Sequence, residues 1–296
     1  MNIVGAGLSG LIAAHIWPNA KVYEIANGPL EQHKALLRFR SDVVAQVTGI
    51  EFKKVKVRKG IFDNGRFCEP TIALSNQYSK KCLGRIEPER SIWNLEPAIR
   101  FIAPDDLYQQ LVDNCGSRIE WGADYQFQRE VCISTIPLPV LIQKVSPSYL
   151  HINFNKSPIT VQRFYIPNCD AYQTVYFPTP THSVYRASIT GDILIVEHAD
   201  ILYGDWIADV ERAFAITMSY CSPLGEVEQK YGKIAPINEG QRKSIIFDMS
   251  RRFGIYSLGR FATWRNILLD DVVGDAAVIK RLMRGDHYDL YKESNK

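Results

Sequence analysis

The sequence predicts an α/β protein: a parallel-sheet domain opened by a βαβ unit, with a second, β-sheet-plus-helices domain inserted into it. Three observations carry this. Residues 1–24 read as strand, glycine turn, helix and strand. Strand-like and helix-like stretches alternate towards both ends of the chain. The middle, from about Ile152 to Glu197, is instead rich in β-branched and aromatic residues.

Met1-Asn2-Ile3-Val4 is a short apolar strand and Gly5 to Gly10 a turn. Leu8 to Ile16 is helical, with Leu11, Ile12 and Ile16 available for one face, and Pro18-Asn19 stops it. Lys21 to Glu24 is the next strand. Lys53 to Lys59 alternates basic and apolar residues, which predicts a strand with one basic face. Pro104 suits the first turn of a helix running to Cys115, striped by Leu107, Leu111 and Val112. Arg118–Trp121 and Val131–Ile136 read as strands, Ile207–Tyr220 as a helix, Ile255–Leu258 as a strand and Ile267–Met283 as a helix. The polar tail after Arg284 is expected to fray. The pattern assigns 1–60, 104–145 and 240–296 to the first domain, and 61–103 and 146–239 to the second.

Composition agrees with such a chain. Its 296 residues are 46% hydrophobic and 23% charged, enough for two intimately packed domains. A net charge of +3 and a pI near 8.4 are too mild to demand a nucleic-acid partner. No charge-free apolar run approaches the roughly 20 residues that span a bilayer. No basic-then-apolar leader is visible, which points away from secretion. The cysteines (Cys68, Cys82, Cys115, Cys132, Cys169 and Cys221) include no C-x-x-C pair. The histidines (His15, His33, His151, His182, His198 and His287) show no ligand spacing. Neither a metal site nor a redox dithiol is expected, and a reduced, cytoplasmic chain is the natural expectation.

The strongest chemical signal is Gly5-Ala6-Gly7-Leu8-Ser9-Gly10, a G-x-G-x-x-G turn between a strand and a helix. Gly5 permits the tight turn, Gly7 lets backbone approach a pyrophosphate, and Gly10 lets helix and strand pack closely. The free N–H groups of Leu8, Ser9 and Gly10, at the positive helix end, would face phosphate. Glu24 ends the next strand, where a carboxylate accepts hydrogen bonds from an adenosine ribose and disfavours a 2′-phosphate. This is a Rossmann-like dinucleotide site, and the motif alone leaves NAD and FAD open.

The far end of the chain decides for FAD. Ile255-Tyr256-Ser257-Leu258-Gly259-Arg260-Phe261-Ala262-Thr263-Trp264-Arg265 resembles the late flavin motif of UDP-galactopyranose mutases and related amine-oxidase-like flavoproteins. Gly259, Arg260, Thr263 and Arg265 match that pattern, Phe261, Ala262 and Trp264 are near substitutions, and Asp270 falls on a later acid. Asn266 departs from the family's second tyrosine. The resemblance implies that Gly259 and Arg260 lie near the flavin pyrophosphate or ribityl chain, where a guanidinium fork suits phosphate. It implies that the following helix aims its N-terminus at the flavin. It also places Thr135 and Pro137, in Val131-Cys132-Ile133-Ser134-Thr135-Ile136-Pro137, beside the adenine half. Arg38 and Arg40 fall in a flavin-contacting segment. Over the middle of the chain the resemblance is thin. The compact length and basic strand also resemble small phage-encoded flavoproteins, some of which act on aminoacylated thymine in DNA hypermodification.

By that resemblance the chain is an oxidoreductase that oxidises a carbon–nitrogen bond of an amine or aminoacyl group. Hydride passes to flavin N5 and O₂ accepts the electrons. The substrate is a small-molecule amine or modified DNA, in the host cytoplasm if the chain is phage-encoded. The alternatives are a non-redox nucleotide-sugar mutase, for which Tyr78 and Trp93 offer no defined UDP pattern, and a flavin-bearing assembly protein without turnover. Tyr176, Tyr185 and Arg186, on a hairpin expected to roof the flavin, are the candidate substrate residues; the plainer reading of Arg186 is a sheet ion pair. Arg38 and Arg40 bind an anion or form surface ion pairs. Trp264 edges the flavin or fills core. Lys53–Lys59 faces a polyanion or is a solvated edge strand whose lysines deter aggregation. Glu197-His198-Ala199-Asp200 reads as a strand end, since neighbours in a strand face opposite ways.

Overall fold

The computed structural model describes residues 1–30, 37–87, 92–128, 130–199 and 202–284, and only the backbone of residues 230 and 231. His33, Asp200, His287 and the tail beyond Arg284 lie outside the described residues. The chain opens with β1 (Asn2–Val4), α1 (Leu8–Ile16), β2 (Lys21–Glu24), β3 (Arg38–Phe39) and α2 (Val43–Thr48). β4 (Lys53–Asp63), β5 (Arg66–Cys68), α3 (Ile72–Leu83), β6 (Ala98–Ile102), α4 (Leu107–Cys115), β7 (Ile119–Trp121), β8 (Cys132–Ser134) and α5 (Leu138–Val145) follow. The second half holds β9 (Lys156–Tyr165), β10 (Ala171–Tyr176), β11 (Val184–Gly191), β12 (Ile193–Ala199), α6 (Ile207–Phe214), β13 (Ser222–Ile234), α7 (Glu239–Phe253), β14 (Ile255–Ser257) and α8 (Leu269–Met283).

Five strands form a parallel sheet in the order β14-β8-β1-β2-β7. α1 links the central strand β1 to its neighbour β2. Gly10, Leu11, Ile12, Ala13 and Ala14 of α1 are all buried, and the helix packs between α4 and α8. Ile3, Leu11, Val22, Leu111, Ile133, Leu258 and Ile279 share its core. A strand flanked by parallel neighbours and covered by helices is buried on both faces, as Ile3 and Val4 of β1 and Cys132 and Ile133 of β8 are.

The other sheet runs β13-β9-β12-β11-β10-β4-β6-β3, with β5 paired to β4. Its pairs are antiparallel except β4 with β10. α6 covers one face, packing Val210 and Ala213 on Phe62, Val175, Ala187, Leu194 and Val196. The opposite face carries Ile61, Val161, Tyr185 and Ile195 against Tyr78 and Cys82 of α3. A bulge in β11 between Val184 and Arg186 turns Tyr185 towards the same side as Arg186.

Two expectations need correction. The helix from Ile207 stops at Phe214, because Ala215 takes a left-handed φ of 52°, and Met218–Tyr220 is a separate single turn. The basic strand is not an edge. β4 lies between β6 and β10 in the sheet, pairing with β6 over Lys53–Val57 and with β10 over Arg58–Ile61. Apolar Ile61 and Phe62 extend it to Asp63, beyond the basic run. The sequence also concealed β13 and α7. Strand β13 is polar, contains Pro223 and Gly225, and is held by its long pairing with β9. α7 buries only Arg242, Ile245 and Met249, a narrow i, i+3, i+7 stripe, and starts where Asn238 accepts from the Gln241 N–H at 3.0 Å.

Candidate functional site

The C-terminal ends of β1, β8 and β14 lie side by side, and the motif residues leave the sheet there. This is the crevice where open parallel sheets take ligands. Gly5 has φ +102°, and a Cβ there would sit 2.5 Å from Thr135 Oγ1. Thr135 Oγ1 donates to the Val4 carbonyl at 2.9 Å, tying the β8 turn to the glycine turn. A Cβ on Gly10 would lie 1.8 Å from the Gly5 carbonyl oxygen, so only glycine allows this approach of helix to strand. Gly7 differs: a Cβ there would meet nothing within 4 Å. It caps α1 without a side-chain acceptor, and no acid follows in the first turn of Leu8, Ser9 and Gly10. Open space thus meets uncapped N–H groups at a positive helix end, as a phosphate requires.

Glu24 is buried at the end of β2. Its carboxylate accepts from the Ala6 N–H at 2.7 Å and the Ala26 N–H at 3.1 Å. It therefore braces the glycine turn itself, and each oxygen keeps a second lone pair for a ribose hydroxyl.

The late motif docks on this turn. Gly259 has φ +95°, and a Cβ there would lie 2.5 Å from Ser9 Oγ. Thr263 donates through Oγ1 to the Gly259 carbonyl at 2.8 Å, closing the loop. Arg260 donates to the Gly232 carbonyl at 3.1 Å and lies over the Phe261 ring. Pro137 starts α5, whose Leu138 N–H donates to the Phe261 carbonyl at 2.9 Å. Arg265 pairs with Asp275, and Asn266 is exposed. Trp264 is 1% exposed at φ +49°, with its indole donating to Ala235 and its ring edge-on to Phe154. It sits in the core. The first turn of α8 carries Asp270 and Asp271. Asp270 receives the Arg40 and Ser41 N–H groups, and Asp271 pairs with the Arg40 side chain at 2.5 Å.

Arg38 and Arg186 meet on the α3-facing side of the large sheet. Arg38 donates to Thr174 Oγ1 and Thr190 Oγ1, both at 2.6 Å, and to the Ile189 carbonyl. Arg186 is gripped in a fork by Glu197, one arm at 2.6 Å, and Tyr185 donates to the same carboxylate at 3.0 Å. Tyr176 pairs with Arg186 across the hairpin and its ring meets Tyr78. Lys233 lies 4.0 Å over the Tyr185 ring, one residue from the carbonyl that Arg260 holds. That link sets the roof beside the crevice.

The charges here are unbalanced. Burial opposes the charge of Arg186, but Glu197 outweighs it and holds the guanidinium firmly charged. Burial likewise opposes Glu197, yet Arg186 and Lys233 pull its pKa below the ordinary range. Among the described residues the hydrogen-bond partners of Arg38 are neutral, and burial, with Arg186 nearby, pushes its pKa down to about 10. Register puts Lys59 and Arg100 on the same face, and burial and Arg100 lower the Lys59 pKa. Arg38, Lys59 and Arg100 have no ion-pair partner among the described residues. A face with this excess of cations calls for an anion.

The structure thus gathers Gly5, Gly7, Leu8, Ser9, Gly10, Glu24, Thr135, Pro137, Gly259, Arg260 and Thr263 at one crevice. It gathers Arg38, Tyr176, Tyr185 and Arg186 on the roof. Sequence reasoning missed Glu197, Lys59, Arg100 and Lys233. Glu197 is near the end of β12, as its position suggested, but the alternation that separates it from His198 also aims it at Arg186, its register partner on the adjacent strand β11.

No family model matches the chain, and no curated protein matches it. Solved structures do. A reduced UDP-galactopyranose mutase superposes with a TM-score of 0.65 at 14% identity, over 95% of this chain and 93% of the other. An oxidoreductase from Methanosarcina mazei gives 0.56 at 9% identity, over 95% and 99%. Aklavinone-11 hydroxylase, in a ternary complex with FAD and aklavinone, gives 0.51 at 11% identity, over 96% of this chain and 62% of the hydroxylase. This chain therefore has the fold shared by FAD-dependent oxidoreductases and UDP-galactopyranose mutase.

Proposed function

We propose that this chain is an FAD-dependent oxidoreductase acting on a carbon–nitrogen bond of an amine or aminoacyl substrate that carries a carboxylate. The observation that carries the reading is Arg38, a half-buried cation without an ionic partner among the described residues, beside Arg186 on the roof of the crevice. Gly5–Gly10, Glu24, Thr135 and the Gly259–Thr263 loop would hold the cofactor, and the open space at Gly7 fits a pyrophosphate. Bound there, FAD supplies the hydride acceptor.

The chain's own residues position the substrate. Arg38 is fixed by two threonines and a carbonyl, and Arg186 by Glu197, so both forks are preorganised. A carboxylate bridging them would be oriented without further ordering. Burial holds the phenols of Tyr78 and Tyr185 protonated, so they add no negative charge to compete. Glu197 is committed to Arg186 and is not assigned as a base; a neutral amine loses its proton to water. In its finer form the reading takes the aminoacyl group to be carried on a thymine of phage DNA, which rests on the resemblance to small phage flavoproteins. The runner-up is a nucleotide-sugar mutase, favoured by the likeness of fold and by cations that would equally accept a diphosphate.

The test is anaerobic mixing of the purified flavoprotein with amines, amino acids, N-aminoacyl compounds and nucleotide sugars. Bleaching of the flavin band by a carboxylate-bearing amine is the expected result. Arg38→Gln should then raise KM by about 10- to 150-fold, the loss of charge-assisted hydrogen bonds. Turnover of a nucleotide sugar only after chemical reduction of the flavin would instead establish the mutase.

A further inference from the structure

The outer face of β4 presents an arrangement the crevice does not use. Residues 54, 56, 58 and 60 point to this face, away from Arg38, Lys59 and Arg186. Lys54, Lys56 and Arg58 are exposed, and none forms an ion pair or hydrogen bond through its side chain among the described residues. Their neighbours across β6 and β10 on this face, Phe101, Ile99 and Gln173, are uncharged. Lysines that guard a sheet edge would explain such a row, but β4 lies inside the sheet order, between β10 and β6. Position 60 is glycine, and a Cβ there would lie 2.8 Å from Cε1 of Phe67. The glycine lets the Phe67 ring close over the strand. That ring braces edge-on against Phe62, yet Phe67 remains 52% exposed.

Three cations unpaired among the described residues and one braced, open aromatic ring therefore follow each other along one strand face, at about 6.8 Å per step from the strand rise. Cations that track a backbone, with a ring that stacks a base, are the elements of sequence-tolerant single-strand recognition. We propose that this face binds single-stranded nucleic acid, with Lys54, Lys56 and Arg58 on consecutive phosphates and Phe67 stacked on an unpaired base. A membrane surface is the poorer occupant, because the row is linear and flat and belongs to a strand rather than an amphipathic helix. The proposal does not depend on the oxidation proposed above, since docking is read by binding alone.

The experiment measures fluorescence anisotropy of a labelled 15-nucleotide oligothymidylate with the flavin-loaded protein at 50 and 200 mM salt. Binding that weakens with salt is expected. Changing Lys54, Lys56 and Arg58 together to Ala should flatten the log–log salt slope by about 2, at roughly 0.7 per phosphate contact. Phe67→Ala should leave the slope unchanged and weaken binding about 5- to 150-fold, while Phe67→Trp restores it. An unchanged flavin spectrum in each variant shows that the fold is intact. Absence of binding by the parent protein at 50 mM salt overturns the proposal. So does Phe67→Ala that binds as the parent does, a matched duplex held as tightly as the single strand, or capture of anionic vesicles by the same residues without oligonucleotide binding.

Discussion

Gly7 and Gly10 lie three residues apart and meet opposite surroundings. A side chain at Gly10 runs into the Gly5 carbonyl, whereas one at Gly7 enters open space. Gly7→Val should therefore fold normally by circular dichroism and melting, yet release no FAD when denatured. Gly10→Val should fail to fold, which expression and melting would show. A Gly7→Val protein with full flavin content would displace the phosphate site. Glu24 adds a structural share to its expected ribose contact, because it holds the Ala6 and Ala26 N–H groups. Glu24→Ala should lower the stability of the cofactor-free protein by about 1.5–3 kcal/mol, the scale of a hydrogen bond to a charged group. Urea denaturation of apoprotein measures that share separately from cofactor affinity.

At the scale of elements, the hairpin of β10 and β11 and the neighbouring β12 assemble the roof by register. Tyr176 pairs with Arg186, and Arg186 with Glu197. The fork between Arg186 and Glu197 is buried on the carboxylate side, so removing one partner strands the other charge. Glu197→Gln should destabilise the protein by about 3–5 kcal/mol, and joint replacement by Met at 186 and Leu at 197 should cost much less. Equal losses in the single and double variants, by urea titration, would contradict that account. The loop between β14 and α8 depends on Trp264, whose indole is bonded to Ala235 and packed on Phe154. Trp264→Ala should cost about 3–5 kcal/mol. A small change in the chemical-denaturation midpoint would mean that the loop collapses into the space.

Across the whole molecule, a polar cluster is buried near α3, α6 and the ends of β11 and β12. His198 bridges Ser183 Oγ at 2.8 Å and Gln162 Oε1 at 3.0 Å, and His182 approaches Asp209 at 3.4 Å. Burial pushes both imidazoles down to about 4. Lys81 adds to this in both cases, and Asp209 opposes it for His182. Lys81, bonded to the Phe177 and Thr179 carbonyls, is lowered by burial to about 7. A base whose folded pKa lies below its unfolded value takes up a proton on unfolding. The imidazoles' contribution is thus complete above their unfolded value of 6.5 and is lost as pH falls through 6.5 towards about 4. The urea midpoint should drop between pH 7 and pH 5, and His198→Gln should remove part of that dependence. A flat profile would mean that the imidazoles are solvated.

The nucleotide crevice was legible in the sequence because its determinants are local. A tight turn, a close helix and a terminal acid constrain residues 5–24 through backbone sterics over a short stretch, and the βαβ unit forms where periodicity placed it. The late motif was legible through its resemblance to a family's flavin motif, and in the structure its glycine and threonine close one local loop. The cationic roof was only half visible. Tyr176 and Arg186 share a hairpin, but Glu197, Lys59, Arg100 and Arg38 reach it from other strands. Only strand order and register decide which charges meet and which are left without a partner. The same holds for the basic strand: its alternation was plain in Lys53–Lys59, but whether it guards an edge or lies between two strands depends on pairing partners more than 40 residues away in β6 and more than 100 in β10. Sequence determines the faces a segment presents; tertiary pairing decides what each face meets, because hydrogen-bonding capacity is common to every strand and carries no address of its own.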